Sequence, residues 1–113
     1  MAMRLRLDKA WLPLTAETAA RLPGQLGIYQ VADASGAVLY IGQAGARSPF
    51  GLRSELQREF KERGEGSHFR VEVNQQYRTR WLELLMVHQA DHGSLPVDNA
   101  KHPPPNLGRL SPS

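Results

Sequence analysis

The stretch "GIYQVADASGAVLYIG", residues 27–42, decides how the chain is organised. Two β-rich runs, 26–32 and 37–42, flank the polar turn Asp33-Ala34-Ser35-Gly36, and this predicts a hairpin. Side chains alternate along a strand. Ile28, Gln30 and Ala32 therefore share one face, and Tyr29 and Val31 the other. On the returning run Val38 and Tyr40 are expected to share a face. The pairing register is open, but both tyrosines can point to the same side. Gly27 and Gly42 suit positions where backbones approach closely or a strand bulges, and Gly27 equally suits a plain strand start.

Outward from the hairpin the periodicities change. Residues 15–22 read as a short helix with Thr15 as N-cap and Pro23-Gly24 as its end. After a Gly- and Pro-containing loop, Leu52, Leu56 and Phe60 form one helical stripe within 50–63, and Gly64 stops it. Residues 69–75 alternate as a third strand. Residues 78–93 form a second strong helix, with Leu82, Leu85, Met86 and Gln89 in rhythm and Gly93 as its stop. The Pro-rich tail, 100–113, is expected to be irregular. The whole chain, 1–113, thus reads as one α/β (α+β) domain with its core at 25–99. Its architecture is a small, mostly antiparallel three-stranded sheet flanked by helices.

Composition narrows the function classes. The absence of cysteine excludes disulfides and thiolate metal sites. No apolar run approaches the roughly 18 residues that a membrane span needs. The start, "MAMRLRLDKAWLPL", lacks the apolar core of a signal peptide. These features lead to the expectation of a soluble, cytoplasmic protein with no membrane partner. Net charge is +3, and only Lys9, Lys61 and Lys101 among the 14 basic residues are lysines. Arginine suits bidentate contacts to phosphate, although a solvated surface gives the same balance.

The two tripeptides, Gly27-Ile28-Tyr29 and Tyr40-Ile41-Gly42, with their tyrosines eleven positions apart, resemble the signature of the GIY-YIG nuclease superfamily. The likeness covers roughly residues 25–99. It implies an endonuclease that hydrolyses phosphodiester bonds using Mg²⁺ or Mn²⁺. It also implies a nucleic-acid partner, DNA before RNA, either recognised by its structure or delivered by a protein partner that supplies specificity. The family places an arginine on the helix after the second motif, a glutamate on a later helix, and an asparagine downstream. Arg53, Glu83 and Asn99 stand at matching places. Arg58 is a second choice for the arginine, and Asn106, in "PPPN", for the asparagine. A histidine common after the family's arginine is missing here.

By this resemblance Tyr29 is the general base and Tyr40 a hydrogen-bonding partner near the phosphate. Arg53 clamps the phosphate, Glu83 holds the metal, and Asn99 braces the site or contacts backbone. A tyrosine with pKa near 10 is a poor base at neutral pH unless a cation favours its phenolate. Arg47, Arg53, Arg58, Arg78 and Arg80 are the expected nucleic-acid contacts. Each residue also has an ordinary reading: a strand aromatic, a solvated arginine, a helix-edge carboxylate, a turn asparagine. Glu83 lies among apolar neighbours and so needs a partner, a metal or a cation. His88 and His92 share a helix face but lack a third ligand motif, and Trp81 suits a core anchor or a base-stacking surface. A non-cleaving nucleic-acid-binding module and a protein-interaction scaffold are the competing functions.

Overall fold

A computed structural model describes residues 5–102 and residue 104. Asn106 and most of the expected tail lie outside the described residues. In chain order the elements are β1 (Leu12–Pro13), α1 (Ala16–Ala20), β2 (Gly27–Ala32), β3 (Val38–Ala44), α2 (Gly51–Arg63), β4 (His68–Val73), α3 (Tyr77–His92) and α4 (Val97–Ala100). The α+β class holds. The sheet has four strands rather than three, all pairings antiparallel, in the order β1-β4-β2-β3. The extra strand is two residues long and contains Pro13, so it offers no period to read. The short helix α4 likewise falls within a Pro-rich region too brief for a helical stripe.

Local chemistry accounts for the element ends. Thr15 caps α1, its side chain accepting from Thr18 N–H while the Thr18 hydroxyl accepts from Thr15 N–H. The hairpin turn is built on Asp33, whose Oδ1 accepts from the backbone N–H of Ser35 and Ala37 at 2.9 and 3.1 Å. Gly36 takes a φ of 92° there, which glycine reaches without strain.

The register places Tyr29 opposite Gly42 and Val31 opposite Tyr40. It then shifts, so that Ala32 faces Val38 and Leu39 is the extra residue of a β-bulge. The bulge corrects the expectation that Val38 and Tyr40 share a face. Val38 packs with Ile28 and Ile41, whereas Tyr40 packs with Tyr29 and Val31.

The sheet therefore separates two cores. On one face Tyr29, Val31 and Phe69 meet Ala19 of α1 and Leu52 and Leu56 of α2. On the other, Ile28 and Ile41 meet Leu84 and Leu85 of α3, with Trp81 half-buried beside them. Helix α3 buries Leu84, Leu85 and Val87, so its inward stripe is rotated from the expected Leu82, Leu85, Met86 and Gln89.

Candidate functional site

The tyrosine face is assembled by β2, β3 and α2. Tyr29 is fully buried, and its ring lies over Gly42, whose missing side chain gives it room. The Tyr29 and Tyr40 ring centroids are 6.0 Å apart. Helix α2 continues its inward stripe past Leu52 and Leu56 to Glu59, which is only 3% exposed. The Tyr29 hydroxyl donates to Glu59 Oε2 at 2.8 Å. Arg63 Nε donates to Glu59 Oε1 at 2.7 Å, so both carboxylate oxygens are held.

Two arginines and one lysine surround this buried pair. Arg58 Nη2 lies 3.4 Å from the Tyr29 hydroxyl and 2.7 Å from Glu55 Oε1. Arg63 Nη2 meets Asp98 Oδ2 at 2.8 Å, and its guanidinium carbon lies 6.0 Å from the Tyr40 ring centroid. Lys101 Nζ reaches Asp98 Oδ1 at 3.1 Å. The result is an open cleft of about 370 Å³ lined by Tyr40, Arg58, Glu59, Glu62, Arg63, Asp98 and Lys101, in which Glu62 also pairs with Arg58 at 3.4 Å. Its walls alternate in charge.

Burial first, and then the charge of Glu59, push the Tyr29 hydroxyl well above its ordinary pKa. Tyr40 is pushed up by the same two causes in the same order. The sequence reading expected a cation to favour the Tyr29 phenolate. The nearest partner is instead a carboxylate, which keeps the phenol protonated. A raised tyrosine pKa stabilises the fold fully below its unfolded value and ceases to do so as pH rises through the folded one. Stability in urea should therefore fall above about pH 10. Tyr29→Phe should shallow that decline; an equally steep decline in the variant would contradict the assignment.

The other expected site residues divide. Arg58, not Arg53, reaches the tyrosines. Arg53 donates to the Leu22 carbonyl at 2.9 Å and packs on Phe50, so it ties α2 to the end of α1. Glu83 is on the opposite side of the sheet. Its partner is Arg80, which also donates to Glu72 Oε2 at 3.0 Å, and Glu72 pairs across the sheet with Ile28. The cation that Glu83 needed is thus a buried arginine. Arg80 is correspondingly engaged and 6% exposed, which removes it from the expected nucleic-acid contacts. Arg47 and Arg78 are exposed, on the turn after β3 and on the first turn of α3.

Asn99 contacts backbone. Its Oδ1 accepts from Ile41 N–H at 2.8 Å and its Nδ2 donates to the Ile41 carbonyl at 2.9 Å. The side-chain amide therefore occupies the outer edge of β3 as a neighbouring strand would. Trp81 Nε1 donates to the same carbonyl at 2.8 Å, an anchoring role rather than an exposed stacking surface. The His88 and His92 rings are 4.3 Å apart, and His88 Nδ1 pairs with the Ser94 carbonyl. Among the described residues they gain no third ligand, since no group of three or more His, Asp or Glu is placed to hold a metal.

Sequence reasoning missed Glu59, Arg63, Asp98 and Lys101. Glu59 had a signal: it falls seven residues after Leu52 and three after Leu56, on the inward side of the helix.

The fold and cleft define an α+β domain with two phenols and three cations gathered on one sheet face. The chain belongs to the family described as "Domain of unknown function (DUF7508)", whose match spans residues 3–91. Neither the curated proteins nor the solved structures contain a match to the chain. Among the described residues no helix is long and apolar enough to cross a membrane.

Proposed function

We propose that this chain is a GIY-YIG-type nucleic-acid enzyme that hydrolyses phosphodiester bonds in DNA, or in RNA, on the Tyr29 and Tyr40 face. The supporting observation is that α2 brings Arg58 and Arg63 to the two tyrosines of the paired tripeptides. Cationic donors aimed at a developing phosphoryl charge are the largest contribution such a site can make. In this reading Arg58, Arg63 and Lys101 bind the phosphate, and Tyr40 donates to one of its oxygens. Glu59 orients Tyr29 and Arg63. A neutral Tyr29 can still pass a proton from water to Glu59, provided that Arg58 first swings clear of its hydroxyl.

Mg²⁺ or Mn²⁺ enters the proposal through the resemblance. Glu83 does not fit as its ligand beside the tyrosines, because it pairs with Arg80 on α3, on the opposite face of the sheet. Glu59 and Asp98 are on the correct face but are both bonded to Arg63.

The test is cleavage of labelled branched, flapped, single-stranded and duplex substrates, with Mg²⁺ or Mn²⁺ and with a chelator. Tyr40→Phe and Arg58→Ala should each slow cleavage by about 10²-fold. Loss of cleavage in Glu83→Gln but not in Arg58→Ala would place the site on the other face. One observation favours a second reading, a module that binds nucleic acid without cutting it. The Tyr29 hydroxyl is fully buried, and burial first, then the charge of Glu59, favours its protonated form over the phenolate that would act as base. That reading predicts salt-sensitive binding and no cleavage with either ion.

A further inference from the structure

Resting on that reading, we propose that Arg63 and Lys101 form a phosphodiester subsite in which the Asp98 carboxylate is the resident anion. A substrate phosphate would displace it. Arg63 presents two edges. The Nε edge is bonded to Glu59, which is nearly fully buried and also bonded to Tyr29, so that edge is structural. The Nη2 edge opens onto the cleft, where it meets Asp98. A carboxylate and a phosphate present the same acceptor oxygens to a guanidinium fork.

Three features suit Asp98 to exchange. Its side chain is 25% exposed, against 3% for Glu59, so the Arg63–Asp98 pair is in contact with water. Its second partner, Lys101, is 67% exposed and can follow a ligand. Its departure need not release α4, because the adjacent Asn99 holds that helix to Ile41 through two hydrogen bonds of its own. The vacated position opens onto the cleft that Tyr40 also lines, and the Tyr40 ring centroid is 6.0 Å from the Arg63 guanidinium carbon. An incoming phosphate would therefore enter the cleft that the half-buried Tyr40 lines.

Part of the binding free energy must then go into breaking the Asp98 pairs. Asp98→Asn keeps the shape and removes the competing charge, so it should bind nucleic acid more tightly. Lys101→Ala removes a phosphate contact, so it should bind more weakly and with a shallower dependence on salt.

The experiment is fluorescence anisotropy with a labelled single-stranded oligonucleotide and a labelled branched duplex, without divalent ions, across a salt series. Thermal melts check that each variant is folded. Asp98→Asn, and Asp98→Ala as a second way of emptying the position, should bind about tenfold more tightly than the unaltered chain. Lys101→Ala should reduce the salt slope by about one phosphate contact. Binding by the unaltered chain that is unchanged or weakened in both folded Asp98 variants overturns the subsite and leaves the functional reading standing. No binding by the unaltered chain or any variant overturns both.

Discussion

Gly42→Ala should destabilise the domain by about 3 kcal/mol, a large share of the roughly 5–15 kcal/mol a small domain possesses. A Cβ at this position would lie 2.2 Å from Tyr29 Cζ and 2.4 Å from its hydroxyl oxygen. No real Cβ sits so close to a ring. The ring has little freedom to yield, because it is fully buried and its hydroxyl is bonded to Glu59. If it does yield, it abandons that hydrogen bond and leaves a buried carboxylate less satisfied. Urea titration measures the loss, and near-UV circular dichroism reports the displaced tyrosine. Gly36→Ala is the control. Nothing lies within 4 Å of a Cβ there, and only its φ of 92° opposes the change, at a cost of about 1 kcal/mol. Equal losses in the two variants would show that Gly42 is not a seat for Tyr29.

Asn99→Ala should cost about 3 kcal/mol, the second large effect. Asn99 is 4% exposed, and Ile41 is fully buried. Removing the amide leaves the Ile41 N–H without its acceptor, while the Ile41 carbonyl retains Trp81. Asn99→Asp should be damaging near neutral pH as well. Its carboxylate accepts from the N–H but cannot donate to the carbonyl. Protonation restores a donor, so the aspartate introduced there should have a raised folded pKa. The variant should then gain stability relative to the parent as pH falls through that value. Urea midpoints at neutral and mildly acidic pH measure this, and a loss below about 1 kcal/mol in both variants would remove Asn99 from its role as the edge of β3.

The hairpin was legible because its signals are local: β-rich runs, a polar turn, and glycines at the two ends. Strand alternation allowed the two tyrosines to share a face, and the pairing register, which the sequence left open, puts them there. The Leu39 bulge did not, since an inserted residue leaves the composition of the strand unchanged while moving Val38 to the other core. The rotation of α3 was equally hidden. "WLELLMV", residues 81–87, is apolar nearly all round, so periodicity cannot tell which side faces the sheet. The resemblance alone put Glu83 with the tyrosines; α3 packs on the opposite face of the sheet, where Glu83 pairs with Arg80. The choice between Arg53 and Arg58 depended on where α2 begins and how it rotates over β2. Tertiary packing settles both, and it also brings Asp98 and Lys101 back from distant sequence.

The central claim is that nucleic acid meets this domain on the Tyr40, Arg58, Arg63 and Lys101 face. The most direct measurement is an amide NMR titration of the assigned, isotope-labelled chain with a short oligonucleotide. Shifts concentrated in β3, α2 and α4 around those residues are the result predicted here. Shifts centred on Arg80, Glu83 and the opposite face of α3, or no shifts at all, would contradict it.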